Sequence, residues 1–214
     1  MPPKPLILSF DTSAAHCAAA LLLGDIVLAE RLEPMHKGQA ERLFPLLEEV
    51  LADNGKSWSD LDAIGVCTGP GNFTGVRISV SSARGLALSL GIPAIGVSKL
   101  EAMAYGVNVR VTSVLDARRE RVYIQSFDSG QALEEPQMVD LVEFSDHLVC
   151  GDAVRVIANE TLELPNAQSV DGIALAVAHL TAQRFNQVHP RPAPLYLRAA
   201  DAAPPSDPPV VILP

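Results

Sequence analysis

Two clusters in this 214-residue chain hold residue types that could do chemistry. Asp11-Thr12-Ser13 puts a carboxylate and two hydroxyls into one turn at the end of the apolar run Leu6 to Phe10. That set could position a metal-bound phosphate, although Ser13 stands where a glycine would let a phosphate approach the backbone most closely. The bland alternative is a turn in which Asp11 and Ser13 satisfy neighbouring backbone groups. The second cluster is Thr68-Gly69-Pro70-Gly71-Asn72-Phe73-Thr74-Gly75-Val76-Arg77, a glycine-rich bend between an apolar run and a long stretch of small residues. It is ordered like a phosphate loop but spaced otherwise: five residues separate Gly69 from Gly75, and Val76-Arg77 follows where a Walker loop has lysine. Gly69, Gly71 and Gly75 also miss the dinucleotide spacing. Backbone packing explains these glycines better than phosphate does, while Asn72 and Thr74 at the bend could still reach a nucleotide.

Other chemistries lack their residues. His16, His36, His147, His179 and His189 form no H-x-x-x-H pair, so a metal-dependent protease or transferase is disfavoured. His36 reads as a surface residue at a loop-to-helix junction, with a pairing to Glu41 as the sharper alternative. There is no G-x-S-x-G, and no cysteine has a base beside it in sequence. Arg118, Arg119 and Arg121 make the one dense basic cluster, diluted by Asp116 and Glu120; contact with an acidic partner or RNA competes with a solvated hairpin.

The elements that must position these residues follow from pattern. Leu6 to Phe10, Ala18 to Leu23 and Ile26 to Arg31 read as an antiparallel meander turning at Gly24-Asp25. Leu43, Leu46, Leu47, Val50 and Leu51 fall at helical spacing between about Gln39 and Asn54. Ala63 to Cys67 reads as a strand, about Thr74 to Leu90 as a helix stopped by Gly91 and Pro93, and Ala94 to Val97 as a strand. Ser98 and Glu101 form a capping-box pattern opening a short helix. After Gly106 the pattern restarts with Val111 to Leu115, Asp116, a turn, and Val122 to Phe127. Asp11 and Asp116 each precede the next turn by 13 residues, a positional hint of duplication. Further strand candidates are Gln137 to Leu141 and Leu148 to Cys150, and a helix spans about Gly172 to Arg184 with Asp171 as its cap. Leu195 to Arg198 could pair as an edge strand, and Ala202 to Pro214 reads as extended or mobile. We expect two lobes, residues 1–103 and a smaller second lobe, 104–214, with a proline-rich tail.

Composition narrows the class. With 48% hydrophobic residues but 5% aromatic, the core must be built from Leu, Val, Ile and Ala, as in α/β proteins with buried parallel strands. A formal charge of −9 argues against unaided nucleic-acid binding. Cys17, Cys67 and Cys150, an odd and widely spaced set, suit a reducing compartment. With Asp11 and His16 interrupting the apolar start, a cytoplasmic location and no membrane span are expected. In the second helix Gly75, Ser79, Ala83, Ala87 and Gly91 recur every four residues, a smooth surface that another backbone could approach. Packing on its own sheet is the alternative. Arg77 and Arg84, seven apart, share a face.

Taken together, Leu8 to Ser13, His36 before a Leu-rich helix with Pro45, the bend from Gly69 to Arg77, Asp116-Ala117-Arg118-Arg119, and Tyr196-Leu197-Arg198 resemble the bacterial TsaB family. The resemblance spans the chain and is strongest over residues 6 to 100. It implies an α/β actin-like, heat-shock-chaperone-like ATPase (ribonuclease H-like) fold in two related lobes. It also implies a non-catalytic subunit pairing through first-lobe helices with a paralogous catalytic subunit, TsaD, and with the ATPase TsaE, to make threonylcarbamoyladenosine on tRNA. The interface expected on that basis draws on Leu43, Leu46, Leu47 and Val50, shared with the core, and on Val76, Arg77, Ser79, Val80, Ala83, Arg84 and Ala87. Asp11, Thr12, Ser13, Asn72 and Thr74 are the nucleotide-proximal candidates. No tightly bound cofactor is expected for the chain alone, with ATP or ADP conceivable at the subunit junction, homodimers when the chain is alone, and tRNA met only through the complex. The competing readings are a small ATPase or kinase of this fold anchored on Asp11, and an inactive glycoprotease relative. One departure is Glu120, where that family usually has glycine, which puts the hairpin geometry there in question.

Overall fold

The computed structural model describes residues 4–144, 155–158 and 172–197. The expectations for His147, Leu148 to Cys150, Asp171, Arg198 and the tail beyond it fall outside these residues.

The first sheet has the order β3-β2-β1-β4-β5, formed by β1 (Leu6–Asp11), β2 (His16–Leu23), β3 (Ile26–Pro34), β4 (Ala63–Cys67) and β5 (Ala94–Val97). β1 pairs antiparallel with β2 and parallel with β4, so the chain's first strand sits at the sheet's centre. β1 and β4 are buried at every position, which is why they read as unbroken apolar runs. One face carries α1 (Gln39–Asp53) and α2 (Phe73–Leu90). The other carries a helix from the far end of the chain, α4 (Ile173–Arg184), packed across β1, β2, β4 and β5. Between them in sequence is α3 (Lys99–Ala104), against α4 and the strand Val111–Asp116.

The second sheet repeats the first's central pattern: β6 (Val111–Asp116) pairs antiparallel with β7 (Arg121–Asp128) and parallel with β10 (Arg155–Ala158). Two shorter strands, β8 (Gln131–Ala132) and β9 (Gln137–Asp140), also pair with β7. The parallel extends to a single bond. Asp11 Oδ1 accepts from the backbone N–H of Ser13 at 2.7 Å, and Asp116 Oδ1 accepts from that of Arg118, also at 2.7 Å.

Local differences from expectation have local causes. β3 runs on to Pro34, because its partner β2 continues to His16. Ser98 Oγ accepts from Glu101 N–H at 3.0 Å as expected, but the Glu101 carboxylate turns to Arg184 of α4. A charge-assisted bond across helices outweighs a local one. α4 begins at Gly172, whose φ of 79° suits glycine. Leu195 makes one backbone bond, N–H to Thr68 O at 2.9 Å, and Leu195 to Leu197 forms no strand ladder.

Candidate functional site

The glycine bend is a clamp. Thr68 N–H donates to Val97 O at 2.9 Å and Lys99 N–H to Gly69 O at 2.7 Å, tying the bend to the start of α3. On its other side Asn72 N–H donates to Ser13 O at 2.7 Å. Asn72 then caps α2, its Oδ1 accepting from Gly75 N–H at 2.9 Å, which satisfies one of the helix's unpaired first-turn donors. Gly91, at φ 70°, ends the helix, its N–H bonding to Ala87 O.

α2 is thereby pressed onto the β1–β2 hairpin. Thr12 Oγ1 donates to Gly75 O at 2.7 Å, and Thr12 N–H donates to Ser79 Oγ at 3.0 Å. Asp11 is fully buried and receives His16 Nε2 at 3.0 Å on Oδ2. Burial alone would raise its carboxyl pKa, but the His16 bond, with the Lys99 and His16 charges and the Ser13 N–H, holds it well below the usual carboxylate range. Ser13 Oγ lies 3.8 Å from the buried Cys67 thiol.

Asp11, Thr12 and Ser13, the candidates for a phosphate anchor, are buried and hydrogen-bonded inside the chain, with α2 packed against their turn. Asn72 and Thr74 remain at the surface, Asn72 with its side chain engaged as a helix cap. Among the described residues, no three His, Cys, Asp or Glu side chains gather as a metal site. Nor is any described helix long and apolar enough to cross a membrane.

The interface expectation is also redistributed. Leu43, Leu46, Leu47 and Val50, expected to be shared between core and interface, are all buried in the core. Val76, Ser79, Val80 and Ala83 are buried with them beneath α2, and Ala87 is half-buried. The small residues let α2 approach its own sheet. What α2 offers outward is Phe73, Arg77, Ser81, Arg84, Gly85 and Leu88, at three- and four-residue spacing along one face. Phe73 is 55% and Leu88 83% exposed, unusual for such side chains. Phe44 adds a third exposed apolar residue from α1.

At the N-terminal end of that face the structure adds a residue that spacing could not place. Tyr196, about half exposed, accepts a bond on its hydroxyl from Arg77 Nε at 2.8 Å, and its ring centroid is 5.5 Å from that of Phe73. The Arg77 guanidinium sits 3.6 Å over the Phe73 ring, a cation–π contact. Residues 119 positions apart thus form one aromatic and basic ledge.

The two sheets, with the repeated strand–Asp–hairpin unit, define an actin-like α/β protein in which the first hairpin is closed by the chain's own second helix. The comparisons agree. A family model described as TsaD: tRNA N6-adenosine threonylcarbamoyltransferase matches residues 33–187. The tRNA threonylcarbamoyladenosine biosynthesis protein TsaB of Escherichia coli is 38% identical over 122 residues, 55% of this chain and 52% of that protein. An uncharacterized protein of Mycobacterium tuberculosis is 33% identical over 202 residues, 92% of this chain and 94% of that protein. The solved structure of YeaZ from Pseudomonas aeruginosa superposes with a TM-score of 0.72 at 27% identity, covering 90% of this chain and 100% of that one. The chain belongs to the TsaB family. It spans about half the length of the E. coli relative, 52%.

Proposed function

We propose that this chain acts in the formation of threonylcarbamoyladenosine on tRNA as a non-catalytic subunit, holding a TsaD-like catalytic paralogue through the outer face of α2, with a TsaE-like ATPase joining the assembly. The observation that carries this reading is the exposed ledge of Phe73, Arg77 and Tyr196, continued along α2 by Arg84 and Leu88. Aromatic and arginine side chains in one exposed patch are the usual anchors of protein interfaces. The names of the relatives supply the reaction. Transfer chemistry belongs to the partner in this reading, which the engagement of Asp11, Thr12 and His16 in bonds within the fold supports. The net charge of −9 leaves tRNA to be met through the complex.

The test is reconstitution. The chain and its catalytic partner are mixed, and transfer of labelled threonylcarbamoyl to tRNA is measured with each component omitted. Transfer should require both chains. Transfer by this chain alone, or full transfer by the partner without it, would sink the proposal.

A further inference from the structure

We infer that the cavity between the C-terminal half of α4 and the β2–β3 turn binds a free α-amino acid with a planar side chain. Lys4 takes its carboxylate, Asp25 its ammonium, and the Tyr105–His179 pair its ring. This site rests on nothing in the proposed function, because α4 and α2 lie on opposite faces of the first sheet.

Three segments distant in sequence build the cavity. α4 supplies His179, Ala182 and Gln183, which at spacings of three and four share one face of the helix, and Phe185 follows at its C-terminal cap. Tyr105, at the end of α3, stacks on His179 with ring centroids 5.3 Å apart and planes within 10° of parallel. Aromatic pairs prefer such an offset stack. Tyr105 and Phe185 are half-buried and pack against the core, so this wall is held from behind. The facing wall comes from the sheet. Gly24 N–H donates to Pro5 O at 2.9 Å, drawing the β2–β3 turn to the start of β1. A Cβ on Gly24 would lie 3.0 Å from Lys4 Cδ, so the missing side chain is what leaves room for the lysine stem across the turn. Lys4 and Asp25 thereby share one rim.

The cavity measures about 310 Å³, at the lower end of the range of small-molecule sites. Its polar groups define the ligand. Among the described residues, the side chains of Lys4 and Asp25 form no ion pair or hydrogen bond, with each other or with any neighbour, and those of His179 and Gln183 form no hydrogen bond. The Asp25 charge nonetheless acts on the aromatic wall: burial, and after it the Asp25 carboxylate, push the Tyr105 phenol above its usual range. Opposite charges on one rim that leave each other unpaired suit a ligand that carries both. A singly charged cation would meet Lys4 as a like charge, and a singly charged anion would meet Asp25. An α-amino acid holds its ammonium and carboxylate on one carbon, and a flat side chain extends its contact onto the stacked rings. Gln183, with both donors and an acceptor, is able to bond either charged group.

The test follows the ring signals of Tyr105 and His179 by NMR while the full chain is titrated with one of three probes. L-Tryptophan carries both charges, tryptamine the cation alone and indole-3-propionate the anion alone. At the binding efficiency usual for small ligands, the roughly 15 non-hydrogen atoms of tryptophan give a Kd of about 1 mM. Tryptophan should move both rings saturably, and each of the other probes should bind about fivefold more weakly, the upper end of what one exposed ion pair contributes. Lys4→Gln should remove the disadvantage of tryptamine, and Asp25→Asn that of indole-3-propionate. Both positions are exposed, so melting temperatures should stay unchanged. Rings unmoved at about ten times the expected Kd overturn the site. Equal or tighter binding of a singly charged probe by the parent chain, or differences that persist in both variants, overturn the roles of Lys4 and Asp25 and with them the amino-acid class.

Discussion

Gly75 of α2 lies so close to the carbonyl oxygen of Thr12 that a Cβ on it would overlap that atom. This contact joins the bend to the hairpin. It brings the helix near enough for Thr12 to donate to the Gly75 carbonyl, and it closes the surface from which Asp11 would otherwise be reached. Gly71 stands in the same relation to Ser13. Gly71 and Gly75 are therefore needed for a backbone-to-backbone approach, which is how the sequence came to look like a phosphate loop.

Gly75→Ala should be strongly destabilising, by about 3 kcal/mol, because the clash is with backbone and neither side can rotate away. Gly85 sits in the same helix with nothing within 4 Å of a built Cβ. Gly85→Ala should stabilise by about 0.7 kcal/mol, from the helix propensity gained. Urea unfolding of the two variants checks both signs at once. A neutral Gly75→Ala would mean that α2 does not press on the hairpin.

Asp11 sets a direction for the acid limb of stability. Burial raises its carboxyl pKa, yet the His16 bond, the Lys99 charge and the Ser13 N–H together hold it below the ordinary value of 3.8. With the folded value depressed, the unfolded chain binds the extra proton. This group's contribution is then full above the unfolded value and is lost as pH falls through it towards the folded one. From about pH 5 downward, unfolding free energy should drop less steeply in Asp11→Asn than in the parent chain. Asp11→Ala should cost about 3 kcal/mol near neutrality by leaving His16 and Lys99 without their carboxylate. Chemical denaturation at a series of pH values distinguishes these outcomes; parallel acid limbs would remove Asp11 from the account.

Much of this was legible in sequence, for identifiable reasons. β1, β4 and β5 were readable as apolar runs, and α1 because Leu43, Leu46, Leu47, Val50 and Leu51 keep one stripe against polar neighbours. The inner and outer faces of α2 were not distinguishable, since Ser79, Ala83, Ser81 and Gly85 are small on both sides and periodicity needs contrast. Two features depended on contacts across the chain: Lys99 buried near Asp11, and Tyr196 meeting Arg77. Spacing along the sequence holds no information about either. The placement of α4 on the first sheet belongs to the same class.

The hairpin between β6 and β7 turns through Arg118, Arg119 and Glu120 at φ 61°, 55° and 56°, three consecutive left-handed residues of which none is glycine. Such a conformation costs a side-chain-bearing residue about 1 kcal/mol. The φ of Glu120 is one that glycine adopts freely, so its side chain adds strain to the turn. Glu120→Gly should therefore raise stability by about 1 kcal/mol, read as a higher melting temperature, whereas Glu120→Val should lower it. No gain from glycine would show that the turn relaxes to accommodate Glu120.

The two faces of α2 make opposite predictions. Ala83 is 0% exposed, among Leu47, Val50 and Val80, so Ala83→Trp must overpack the core and should unfold the isolated chain. Leu88→Asp and Arg84→Glu change only exposed positions and should leave the melting temperature within about a degree or two, in line with surface substitutions of about 0.5 kcal/mol or less. If the outer face carries the partner, the same two changes should weaken binding of the catalytic subunit about tenfold or more, since a desolvated leucine and a reversed charge are each worth over 1 kcal/mol at an interface. Calorimetry on the isolated variants followed by co-sedimentation with the partner separates folding from assembly. Unchanged co-sedimentation of Leu88→Asp would move the interface away from α2.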